Sequence, residues 1–219
     1  MSVINTSLSN FFAEAGLILN NAQTHTEISA SLSILGYDSD TLQTGQALLD
    51  TALALYDTQI KEYGEQHAAT QTFTEATVQA DKTYTAHRAL AKLAFKNDPQ
   101  RQTDLHLNKA KPRAFHLWYA QARHFYTALL ADAEAQTQLA RFNLSLTKLQ
   151  EAQAQVEQTF SLNNVQEQEK GEAQAATEER NTAIKELDEW LNDFKTVARI
   201  ALTDTPQLLE ALYIGAPSF

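Results

Sequence analysis

The chain contains no cysteine, and only six glycines and four prolines among its 219 residues. Lack of cysteine excludes a disulfide scaffold, a Cys-ligated zinc or iron–sulfur centre and a cysteine nucleophile. Scarce glycine and proline argue against a turn-rich all-β fold, which needs such punctuation every ~10 residues. No apolar run approaches the roughly 18 residues of a membrane span. Residues Met1–Asn5 have neither the basic nor the apolar stretch that opens a signal peptide. The expectation is a cytoplasmic protein with no membrane partner. Cations are also in short supply, with 17 Lys and Arg against 27 Asp and Glu and a net charge of −10. Such a balance disfavours nucleic acid as a partner.

Catalytic signatures are missing as well. There is no Gly-x-Ser-x-Gly elbow, phosphate-cradling glycine loop or dinucleotide fingerprint, so no catalytic residue and no cofactor is assigned. Glu-x-x-His, the pair that di-iron bundles place on one helical face, does not occur either.

What is present is a pattern that recurs, without a gap, at a 107-residue offset. Gln59, Glu62, Gly64, Glu65, Ala68, Ala69 and Thr70 reappear as Gln166, Glu169, Gly171, Glu172, Ala175, Ala176 and Thr177. Leu42, Gln43 and Ala47 reappear as Leu149, Gln150 and Ala154, and Pro99-Gln100 as Pro206-Gln207. Between Leu32 and Gln100, 19 of 69 positions are identical at this offset. The corner chemistry is matched even where residues differ. Gly36 and Asn143 both take a left-handed conformation readily, and Asp38 and Ser145 are both preferred N-caps. Tyr37 with Leu42, and Leu144 with Leu149, have the spacing of a hydrophobic staple. The sequence thus reads as one domain over residues 1–219, made of repeat 1 (about 1–107) and repeat 2 (about 108–214).

Each repeat begins with a helical arm, 6–36 or 113–143, the first loosened around Asn20–Thr26. A proline-free stretch follows, from Ser39 to about Lys96 or from 146 to 202. A helix of that size spans about 85 Å. Asp98-Pro99 and Thr205-Pro206 have the form of a cap followed by proline at the first helical position. Ile184, Leu187, Leu191, Phe194, Ala198 and Ala201 alternate by three and four, as on a coiled-coil seam. An arm covers only half of a long helix. The expectation is therefore all-α: an elongated up-and-down bundle of two tandem 107-residue repeats, with two long antiparallel helices and pseudo-two-fold symmetry. Gly64-xxx-Ala68 and Gly171-xxx-Ala175 are then expected at a close backbone crossing.

Two constellations could carry function. The duplicated Glu62, Glu65, Glu169 and Glu172, with His67 nearby, offer hard oxygen ligands suited to a divalent cation, or else form a solvated charged face. From Leu105 to Ala131 there is no acidic residue, while Lys109, Lys111, Arg113 and Arg123 occur there. That stretch reads either as a patch for an anion or acidic partner, or as internal compensation of the acidic residues in 151–193. Phe115, Trp118, Tyr119, Phe125 and Tyr126 interleave it at helical spacing and are expected in the core. His87 is expected as a hydrogen-bonded core histidine.

The duplicated residues serve turns, caps and packing. The leading expectation is accordingly a non-enzymatic structural or protein-interaction bundle that meets a protein partner or associates with itself. The alternatives are a metal- or small-ligand-binding bundle centred on the Glu pairs, and a membrane-active helical protein.

Overall fold

A computed structural model of the chain describes residues 2–215, with side chains from Ser7 onward. Among these residues 83% are helical and none is in a strand. In chain order the helices are α1 (Ser2–Thr24), α2 (Thr26–Ile34), α3 (Ser39–Ala94), α4 (Pro99–Asp104), α5 (Phe115–Ala131), α6 (Ala133–Ala140), α7 (Leu146–Ala201) and α8 (Leu208–Ala211). The two long helices α3 and α7 have 56 residues each. Among the described residues no helix is long and apolar enough to cross a membrane.

Local chemistry sets these boundaries. Before α3, the left-handed Gly36 (φ 86°) ends α2, and Asp38 Oδ1 accepts the Thr41 N–H at 3.1 Å. Before α7, Asn143 (φ 58°) takes the same conformation, and Ser145 Oγ accepts the Lys148 N–H at 3.4 Å. Tyr37 N–H bonds back to the Leu32 carbonyl and Leu144 N–H to the Leu139 carbonyl, which satisfies helix-end acceptors at both corners. The first arm breaks at one residue, His25, between α1 and α2.

The Asp98-Pro99 start forms as the sequence suggests: Asp98 accepts the Arg101 N–H, with Pro99 in the first turn. The Thr205-Pro206 start does not. Helix α8 begins only at Leu208, and Thr205 supplies its main-chain carbonyl to the Leu208 N–H at 2.9 Å in a turn. Position 208 is an apolar residue packed against the core, whereas at α4 the corresponding Arg101 also binds the Asp98 carboxylate through its side chain.

The chain forms two compact units. Unit 1 joins the residues up to Tyr63 with those from Glu172 onward, and unit 2 is Gly64–Gly171. Each combines half of α3, half of α7 and one broken arm. In unit 1, Ile18, Leu19, Ile28 and Leu32 of the arm are buried with Leu42 and Leu49 of α3 and Leu187, Leu191 and Phe194 of α7. In unit 2, Phe125, Tyr126, Leu129 and Leu139 of the arm are buried with Tyr84, Ala91 and Phe95 of α3 and Leu149 and Val156 of α7. Apolar burial of this kind is the main source of stability in each unit.

The expected backbone crossing at Gly64 and Gly171 is not formed. Both glycines are exposed, and a Cβ added at either would meet nothing within 4 Å. Ala68 and Ala175 are exposed too, and α7 buries Ala173 and Ala176 instead. The small-residue stripe faces solvent because the apolar stripe of the helix lies on another face. A glycine that does permit a close approach is Gly45, whose added Cβ would collide with the Trp190 ring.

Candidate functional site

A concave surface lies in unit 2, where α3 meets the segment leading into α5. Its construction begins with Arg88 on α3. The Arg88 guanidinium donates to the carbonyls of His106 at 3.2 Å and Leu107 at 3.3 Å, and also to that of Lys109. Three carbonyls are thereby held against α3, with His106 in a left-handed conformation (φ 54°) that turns the chain. The segment beyond them delivers Lys111, Pro112 and Arg113 to the edge of α3.

Asp81 fixes the next point. Its Oδ1 accepts the Trp118 indole N–H at 2.7 Å, and Lys111 Nζ donates to both of its oxygens at 2.7 Å. Lys111 also donates to Thr85 Oγ1 at 2.9 Å. One carboxylate on α3 thus positions both the linker and the first turn of α5. Phe115 packs edge-on against Phe73, with ring centroids 4.9 Å apart. The result is a cleft of about 430 Å³ lined by residues including Phe73, Thr77, Val78, Asp81, Arg113 and Phe115. Cavities of this size hold small organic ligands.

The cleft's polar groups are unequally satisfied. Lys111 is neutralised by Asp81, while Arg113 is exposed with no acidic partner among the described residues. Helix α5 starts at Phe115, its N-cap Ala114 offers no side-chain cap, and its first turn has no acidic residue. Thr70, Thr72, Thr74 and Thr83 donate to the carbonyl four residues earlier, but the buried Thr77 Oγ1 has no partner.

The remaining basic residues of the acid-free stretch are dispersed. Arg123 Nε donates to Glu157 Oε1 at 3.0 Å, and Tyr119 OH donates to Glu157 Oε2 at 2.6 Å. Lys109 borders a separate hollow near His106, whose ring stacks on His124 with centroids 4.6 Å apart. Burial, helped by Lys109 and His124, holds the His106 pKa below its ordinary value. Trp118, Phe125 and Tyr126 are buried, and Phe115 and Tyr119 pack beside them. His87 is half-buried, with Nδ1 3.1 Å from Tyr126 OH, and burial lowers its pKa.

The structure brings part of the glutamate set together. Within unit 2, Glu65 and Glu169 have carboxylate oxygens within 4.8 Å of each other, while Glu62 is on the part of α3 that belongs to unit 1. Lys61 Nζ sits 3.1 Å from Glu62 Oε1. His67 and Glu172 are exposed and stand outside this group.

Sequence reading did not find Asp81, Arg88 or Thr77. Asp81 carried a faint signal, since it recurs as Asp188 at the same offset as the other repeated residues. Nothing in the sequence marked Arg88 or Thr77 before the fold placed them beside the linker and the cleft. The arrangement belongs to an all-α helical bundle with one cationic, apolar-walled cleft in unit 2. Compared with protein-family models, curated proteins and solved structures, the chain matches none.

Proposed function

We propose that this protein is a non-enzymatic helical bundle that acts through protein contacts, with self-association as the specific form. One observation carries the reading. The last turns of α3 and α7 each expose an aliphatic residue, Leu93 (54% exposed) and Ile200 (62%), at places that correspond between the two repeats. Lone exposed apolar residues are ordinary, but the same exposure at the end of both long helices suits a contact surface used twice.

A tandem duplication underlies that surface in our reading. Helices α3 and α7 start at Ser39 and Leu146 and end at Ala94 and Ala201, so both boundaries are shifted by the offset of the sequence repeat. The left-handed residues are spaced likewise, Gly36 with Asn143 and His106 with Tyr213. Charged side chains support the non-enzymatic part, because several serve as braces between elements: Asp81–Lys111, Arg101–Asp132 and Arg123–Glu157.

Native mass spectrometry of the purified full chain tests the proposal. The expected result is an oligomer that a Leu93→Asp, Ile200→Asp double variant returns to monomer. A wild-type monomer at every concentration overturns self-association. A monomer retaining a stoichiometric divalent metal would instead favour the cation-binding reading, which the approach of Glu65 and Glu169 supports.

A further inference from the structure

The cleft of unit 2 has one surplus positive charge: among its lining residues Asp81 and Lys111 cancel, and Arg113 remains. That surplus stands out in a chain of net charge −10. Beside it, Phe73, Val78 and Phe115 form an apolar wall, and Val78 is 64% exposed. Uncapped N–H groups at the start of α5 add positive potential at the same end of the cleft. An apolar wall and an unneutralised guanidinium within one cavity are complementary to a molecule with an apolar body and a single negative head.

We infer that this cleft binds a small amphipathic monocarboxylate. The aromatic or aliphatic body lies against Phe73, Val78 and Phe115, and the carboxylate is taken by Arg113. A guanidinium suits that role because its planar fork matches the two carboxylate oxygens. Lys111 does not compete for the anion, since Asp81 holds both its charge and its direction. The volume of about 430 Å³ accommodates a body of one or two fused rings and not a folded chain segment. A dianion or a large polar ligand is disfavoured, because the lining residues offer one uncompensated cation. The inference uses unit 2 alone and stands whether or not the protein self-associates.

Isothermal titration calorimetry of the full chain with 2-naphthoate, and in parallel with the neutral 2-naphthamide, tests it. The expected result is saturable one-to-one binding of the acid with Kd below about 1 mM. The amide should bind about tenfold more weakly or worse, consistent with losing a charge-assisted contact. Arg113→Gln should weaken the acid by a similar factor and leave the amide unchanged. Arg113 is exposed and braces no other element among the described residues, so this variant should fold as the parent does; circular dichroism checks that. A second variant, Val78→Asp, should weaken both probes by placing charge on the wall. Lack of saturable binding overturns the inference. So does equal affinity for acid and amide, or an Arg113→Gln protein that binds the acid as the parent does.

Discussion

At the break in each arm the two units solve one problem differently. In unit 1 the chain turns at His25, which makes no side-chain capping bond to α2. In unit 2 the corresponding residue is Asp132, whose Oδ1 accepts the N–H groups of Glu134 at 3.0 Å and Ala135 at 2.9 Å. Arg101 then ties that aspartate to α4, with Nε 2.9 Å from Asp132 Oδ2 and further contacts to Asp98 and Glu134 at 2.9 Å each. The residue corresponding to Arg101 in unit 1 is Leu208, packed against the core. Elsewhere the difference runs in both directions, since unit 1 has polar contacts of its own. Arg88 holds three carbonyls in unit 2, while Lys195 at the matching place pairs with Glu14 at 3.1 Å. Phe73 of the cleft corresponds to Arg180, which donates to Gln59 at 3.1 Å. One helix plan can evidently be closed by apolar packing or by polar bracing, and the bracing shapes a cavity as a by-product.

If unit 1 is closed mainly by packing, removing a ring there should have the largest effect. Phe194 is fully buried, stacked on Trp190 at 5.5 Å and edge-on to Tyr37 at 5.6 Å. Phe194→Ala should cost about 3–5 kcal/mol, read as a drop in the urea midpoint at unchanged slope. A cost under about 1.5 kcal/mol would show that the ring cluster collapses freely, and the contrast between the units would fail.

The braces of unit 2 should matter less per residue. Asp132→Ala removes a cap and an ion pair that is partly exposed, for about 1–2 kcal/mol in total. The Arg101 hydrogen bond, and then the Ala135 N–H, hold the Asp132 pKa below its ordinary 3.8. A depressed carboxylate stabilises the fold fully above its unfolded value, and the gain is lost as pH falls through the folded value. The difference between wild type and Asp132→Ala should therefore be constant at neutral pH and shrink below about pH 4. The reciprocal variant sharpens the contrast. His25 already has the extended backbone of an N-cap (φ −83°, ψ 109°), so His25→Asp should stabilise by about 0.5–1 kcal/mol. A His25→Asp protein no more stable than the parent would mean that the cap is not what separates the units.

Much of the helical plan was legible because its signals are local. The proline-free runs give α3 and α7, and Gly36, Asn143, Asp38 and Ser145 give the corners, since caps and left-handed turns are set within a few residues. The single break at His25 fell inside the loosened stretch that Asn20–Thr26 suggested. The cleft was not legible: Phe73 and Val78 lie far along the chain from Arg113 and Phe115, and it takes the Arg88 and Asp81 contacts and the packing of α5 on α3 to bring them together. Nor was the exposed lie of Gly64 and Gly171 legible. Identical small residues at matched places show that a spacing recurs, but not which helical face is buried. Gly45 went unmarked because its reason is Trp190, far away in the chain.

The smallest effect separates those two kinds of glycine and tests the packing claim from its other side. In an exposed helix interior, alanine is favoured over glycine by about 1 kcal/mol, through backbone entropy. Gly64 has open space around an added Cβ, so Gly64→Ala should stabilise by about 0.5–1 kcal/mol. At Gly45 the same propensity gain meets the Trp190 ring, and that ring is held by stacking on Phe194. Displacing it costs about 1–3 kcal/mol, which outweighs the propensity gain, so Gly45→Ala should destabilise. At the 107-residue offset the corresponding residues are Ala152 and Thr83. Opposite signs for the two alanine variants in urea titrations are the expected result. A stabilising Gly45→Ala would mean that Trp190 moves aside at little cost, and that unit 1 is no more tightly packed than its braced counterpart.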